Sequence, residues 1–279
     1  MSAVLGNQTR LYLLSPWSRG FPACPPPRAA IGRLAAGLAL SLSLIGCATA
    51  PPPPGPGTWA GRSLGPPPPP NPAVKQALIS RATGEWDYFG RQTVVLKRTG
   101  ESIPHVGSWE DDDAAMSQRV NTYWRAAGRG GLDGADCRQP WSAAFVSWVM
   151  QGAGVPEQQL QRAPAHWIYL ASAIDSAGYP GRWFVPRRIT DYSPNPGDLV
   201  CASRGSSSPG GSDGYTNVWA LQGANTHCDL VVAKNGQTLD VIGGNVRNSV
   251  SKTTLELNGK GHLQPVARRP WFLILENRL

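Results

Sequence analysis

Along the chain, the spacing of apolar residues changes period once, and that change divides the region from residue 74 to 279 into two halves. In the first half apolar positions recur at helical spacing. AVKQALISRA, from residue 73, reads as a short amphipathic helix. EDDDAAMSQRVNTYWRAAG opens on four acids, which favour the positive end of a helix dipole, and Val120, Tyr123, Trp124 and Ala127 form its apolar stripe before Gly128. A third helix is predicted over residues 141–151, stopped by Gly152 and Gly154. A fourth, PAHWIYLASAIDSAG, starts at a proline and ends at a glycine.

In the second half the pattern alternates. Residues 198–202, after the turn PNPG, read as a strand, and residues 227–233 and 238–242 flank Asn235-Gly236 as a hairpin. Further strands are predicted near residues 253–257 and 271–275, and a Gly/Ser-rich loop covers 203–225. Helices first and an antiparallel sheet afterwards define an α+β domain.

The first 73 residues carry a different signal. LAAGLALSLSLIGC follows Arg28 and Arg33; it is as long as a signal-peptide core and too short to span a bilayer. The segment before Arg28 is long for the basic start of such a signal, so the natural start is expected to lie further along. Residues 1–46 are therefore read as a signal peptide. Leu44-Ile45-Gly46-Cys47 matches a bacterial lipobox, with Cys47 as the lipidated residue; an ordinary signal peptide with an incidental cysteine is the alternative. Ala48 follows, and resemblance to Gram-negative lipoproteins implies an anchor in the outer membrane facing the periplasm. The proline-rich stretch to residue 73 is expected to be a stiff spacer of roughly 3 Å per residue.

Charge adds little. The formal balance is +8, but Arg10, Arg19, Arg28 and Arg33 precede Cys47, and 26 basic residues less these four leaves 22 against 18 acidic. That is too weak a basic character for a nucleic-acid surface. A monomer is expected. His105, His166, His227 and the cysteines lack metal-ligand spacing, so no metal or organic cofactor is implied. Cys201 and Cys228 fall on neighbouring predicted strands, on the side away from His227. In an oxidising compartment they can form a disulfide or remain two buried thiols.

The blocks PWSAAFVSWVM, HWIYL, PGDLVCASR, HCDLVV and IGGNVRNSV, in this order, resemble a bacterial family known as domain of unknown function 2272. More distantly the arrangement is similar to the CHAP and NlpC-type amidase/peptidase superfamily, a papain-like fold acting mostly on peptidoglycan. That resemblance implies a nucleophile at a helix N-terminus, an imidazole on the neighbouring sheet and a polar group orienting it. Carried over by position, Ser142 takes the nucleophile's place, His227 the base's and Asn245 the orienting group's. Superfamily enzymes have cysteine where this chain has Ser142, and a serine hydroxyl needs concerted base assistance and a good oxyanion hole.

Each assignment has a plainer counterpart. Ser142 is also a favoured helix cap, and Asn245 a turn residue. Cys137, in the loop upstream, is a second candidate nucleophile. Asp229 alternates with His227, so both share a face and Asp229 can raise the imidazole's basicity; the two can equally be solvent-facing. Trp141, His166 and Trp167 are candidate substrate contacts, with a packed histidine the alternative at 166. The expectation is a peptidoglycan amidase or endopeptidase, against a non-catalytic peptidoglycan-binding or scaffold lipoprotein.

Overall fold

The computed structural model describes residues 66, 68–136, 138–204 and 218–279. The expected signal peptide, Cys47, most of the proline-rich stretch expected to be a spacer, and Cys137 lie outside them. Among the described residues four helices and eight strands follow in the order α1 (Pro72–Tyr88), β1 (Thr93–Lys97), β2 (Gly100–His105), α2 (Ala114–Ala126), α3 (Ser142–Gly152), α4 (His166–Asp175), β3 (Phe184–Arg187), β4 (Leu199–Ser203), β5 (Thr226–Asn235), β6 (Thr238–Val246), β7 (Ser249–Glu256) and β8 (Trp271–Asn277). Among the described residues no helix is long and apolar enough to cross a membrane.

Local chemistry explains the helix starts. Asn71 caps α1 by accepting the amide of Val74, with Pro72 in the first turn, and Asp113 caps α2 by accepting the amide of Met116. Helix α3 has almost no polar face: Ala143, Ala144, Phe145, Val146, Val149 and Met150 are all buried. It lies between α1, α2 and the sheet, so protein covers it along its length up to Met150, with Trp148 half-buried and Gln151 and Gly152 exposed.

The eight strands form one sheet in the order β2-β1-β7-β6-β5-β4-β8-β3. The domain is α+β, but the sheet is mixed rather than antiparallel and draws on both halves of the chain. The β1–β2 hairpin precedes α2, and β1 runs parallel to β7 with Thr93 opposite Lys252. The expected strands 253–257 and 271–275 belong to β7 and β8.

Alternation separates two apolar layers. Cys201, Cys228, Leu230 and Leu273 join the helices in one core, while Val200, Ala202, Val231 and Ile274 pack on the opposite face with Leu257, Leu263 and Trp271. Cys201 and Cys228 are direct cross-strand partners and are joined by a disulfide. The PGD motif has a structural use: Asp198 accepts the amides of Asn195 (2.8 Å) and Asn277 (2.7 Å), tying the turn before β4 to β8.

Candidate functional site

Helix α3 begins at Ser142, not one residue earlier, so Ser142 is not the cap. The capping position is Trp141, which makes no side-chain cap bond. The hydroxyl of Ser142 is free for another partner and finds it in His166: Oγ lies 2.6 Å from Nε2. The other ring nitrogen of His166 meets the hydroxyl of Tyr169, one helical turn on. What brings α4 to this place is Ser147. Its hydroxyl donates to the carbonyl of Ala163 (3.1 Å) and accepts that residue's amide (3.0 Å), pinning the entry to α4 against the middle of α3.

His227, expected to face Ser142, points elsewhere. Strand alternation puts Cys228 and Leu230 on the helix side of β5, which sends His227 and Asp229 to the other face. There Nε2 of His227 lies 2.6 Å from Oδ1 of Asp229, and Arg269 donates to Oδ2 at 2.7 Å. The two histidines still approach at the start of the strand, with ring centroids 5.5 Å apart. Two short networks therefore adjoin, Ser142–His166–Tyr169 and His227–Asp229–Arg269. Both are enclosed: Ser142 is 2% exposed, His166 3%, His227 1% and Asp229 0%.

Burial governs the electrostatics. It pushes the His166 imidazole well below its ordinary value, and the neighbouring His227 and Arg204 push the same way. Burial also lowers His227 to about 4; Asp229 opposes this and Arg204 and Arg269 add to it. For Asp229 burial acts upward, but His227 and Arg269 prevail and hold the carboxyl at about 2. At neutral pH the cluster is thus an ionised carboxylate between a guanidinium and two neutral imidazoles. An ionised Asp229 can only accept, so the proton of His227 sits on Nε2 and its Nδ1 carries a lone pair. That Nδ1 is buried and has no hydrogen-bond partner among the described residues.

Asn245 does not orient His227, because Asp229 does. It holds a left-handed backbone (φ 55°) where the β6–β7 pairing shifts register, as Arg247 and Asn248 do in the turn that follows. The two glycines before it matter more. A Cβ on Gly243 would lie 1.7 Å from Oδ1 of Asp229, and one on Gly244 would lie 2.5 Å from Cβ of Phe145. The first leaves room for the Asp229 carboxylate over β6; the second lets α3 rest on the strand.

Trp141, expected to touch substrate, is a core residue. It is 1% exposed, stacks on Tyr123 (centroids 5.5 Å) and donates its indole N–H to Glu110. Trp167 is half-buried and packs against the main core. Tyr169, Arg269, Arg204 and Glu110 were not singled out from the sequence. Tyr169 had a signal in its spacing of three from His166; Arg269, forty residues beyond Asp229, had none.

Glu110 carries a pH prediction. Burial raises its carboxyl from 4.5 to about 7, against the Trp141 hydrogen bond and with Asp111 adding to the rise. A carboxyl whose folded pKa is raised contributes stability below its unfolded pKa and loses it as pH climbs to the folded value. Glu110→Gln does not titrate. Its stability relative to the wild type is therefore expected to rise by up to about 3 kcal/mol between about pH 4.5 and pH 7. Urea denaturation at both ends of that range measures the difference; a constant difference would refute the burial effect.

Residues 106–277 match the model of a family described as uncharacterized protein conserved in bacteria (DUF2272). No curated protein and no solved structure matches the chain.

Proposed function

This chain belongs to that bacterial family, and we propose that it is a lipid-anchored envelope protein whose Ser142 hydrolyses amide bonds of peptidoglycan. One observation carries the chemical part: the hydroxyl at the first residue of α3 lies 2.6 Å from an imidazole nitrogen. That is hydrogen-bond reach for a nucleophile and its base. The base in this reading is His166, with Tyr169 orienting it. Support for the wall as substrate comes from the likeness of the sequence blocks to papain-like amidases, and from α3 resting on β5 and β6. The lipobox at Cys47 supports the periplasmic face of the outer membrane as the location.

In the tautomer with its proton on Nδ1, His166 donates to Tyr169 and receives the Ser142 proton at Nε2. Oγ attacks the amide carbon, and the C–N bond breaks as Nε2–H returns the proton to the departing amine. Water then releases the acyl group from Oγ by the reverse transfers. The amides of the first turn of α3 have no intrahelical acceptor and no side-chain cap, so they suit the oxyanion. The depressed pKa of His166 keeps it neutral, and so able to accept, at neutral pH.

The enclosure of the site favours a second reading, in which Ser142 and His166 form a closed polar network inside a wall-binding protein. Incubation with purified sacculi separates the two. Wild type is expected to release muropeptides, and Ser142→Ala and His166→Ala to lose that release while Cys137→Ala retains it. Undiminished release by Ser142→Ala overturns the serine mechanism, and co-sedimentation without release by any form establishes the binding protein.

A further inference from the structure

The corner around His227 holds more positive charge than it can neutralise. Arg204 follows β4, and alternation places it on the same face as Ala202, whose cross-strand partner is His227. Its amide donates to the carbonyl of Asn225 at 2.7 Å, which keeps it in register with β5. Its guanidinium reaches the carbonyl of Asn245 on β6 at 3.4 Å, so the side chain crosses the start of β5 where His227 stands. Arg269 approaches the same corner on Asp229.

Among the described residues Asp229 is the one carboxylate acting on Arg204, and both its oxygens are engaged, Oδ1 by His227 and Oδ2 by Arg269. Among the described residues Arg204 is left with a single long side-chain contact, to a carbonyl. Burial and the like charge of Arg269 push its guanidinium down to about 10. Beside it, Nδ1 of His227 is a buried acceptor with no donor among the described residues. Among the described residues the corner thus lacks one anion and one hydrogen-bond donor, close together and next to the ring that touches Ser142.

A peptide's last residue supplies both groups at that spacing: a free carboxylate and, one carbon away, an amide N–H. We infer that the corner formed by Arg204 and His227 receives the carboxyl-terminal residue of a peptide, with Arg204 on the carboxylate and His227 Nδ1 on the terminal amide N–H. This deepens the hydrolase reading and rests on it for the reaction: the bond presented to Ser142 is the last amide of the peptide. Its C–N bond breaks, the acyl group passes to Oγ, and the free terminal amino acid leaves with the proton from His166.

The test reads binding, not turnover. The full chain carrying Ser142→Ala is titrated with N-acetylalanine and with N-acetylalaninamide, which differ only in the carboxylate, and with inorganic phosphate as a plain anion. The acid is expected to bind at least about 10-fold more tightly than the amide, as a charge-assisted contact to a guanidinium implies. Arg204→Met is expected to abolish the preference, with its melting curve checked for folding. In the wild type, the His227 ring resonances are expected to move at roughly 10-fold lower concentrations of the acid than of the amide, a readout that needs no variant. Equal binding of acid and amide, a preference that survives Arg204→Met, or phosphate binding as tightly as the acid overturns the assignment. Because Ser142 is already absent, failure here leaves the muropeptide-release result standing, and failure of release leaves this one standing.

Discussion

Replacing Asp229 with alanine is expected to destabilise the folded chain by about 3–5 kcal/mol, the usual cost of leaving a buried charge without its partner. The variant strands the guanidinium of Arg269, which is 6% exposed, and the Nε2–H of His227, which is 1% exposed, in a space that water does not reach. Arg204 then has no anion acting on it among the described residues. For a folded region of about 200 residues the loss corresponds to a melting temperature lower by roughly 6–20 °C. The pair Asp229→Ala with Arg269→Met is expected to recover part of it, because removing both charges leaves fewer groups unsatisfied than removing one. Thermal and urea denaturation of the three variants measures this. A cost under about 1 kcal/mol for Asp229→Ala would show that water or another anion compensates Arg269.

The second large effect is expected from the disulfide. Cys201 and Cys228 are 27 residues apart, and the chain-entropy account assigns about 3.5 kcal/mol to closing a loop of that length. The bond joins directly opposed residues of β4 and β5, and β5 is the strand that carries His227 and Asp229. Cys201→Ala with Cys228→Ala is expected to lower stability by about that amount and to make the melting curve insensitive to reductant. Mass spectrometry of unreduced, alkylated wild type is expected to show neither thiol labelled. Labelling of both, or a double variant as stable as the wild type, would refute the bridge.

Much of the architecture was legible in the local pattern. All four predicted helices exist, because capping residues and terminal glycines act within a few positions of themselves. The strands after residue 198 were readable for the same reason: the turns PNPG and Asn235-Gly236 announce them. The parallel partner was not. The segment TVVLK becomes β1 by lying beside β7, some 160 residues later, and nothing near it in the chain specifies that pairing.

The site divides along the same line. Ser142, His166, His227 and Asp229 were all picked out as candidates from their positions, but their pairing was assigned wrongly. A serine heading a helix and a histidine on a strand suggested one dyad. In the folded protein Ser142 pairs with the histidine of the next helix, and the strand histidine pairs with the aspartate two residues on.

What the chain determines by itself is short-range: where helices begin and end, which strand residues share a face, and that His227 and Asp229 travel together while Cys228 opposes them. Which face of β5 meets α3 was a tertiary decision. It was taken by the apolar residues Leu230 and Phe145 and by Gly244, whose missing side chain lets helix and strand touch. Once that contact buries Cys228 and Leu230 against the helices, a two-residue period leaves His227 no choice but the other side. The imidazole that reaches Ser142 then has to come from α4.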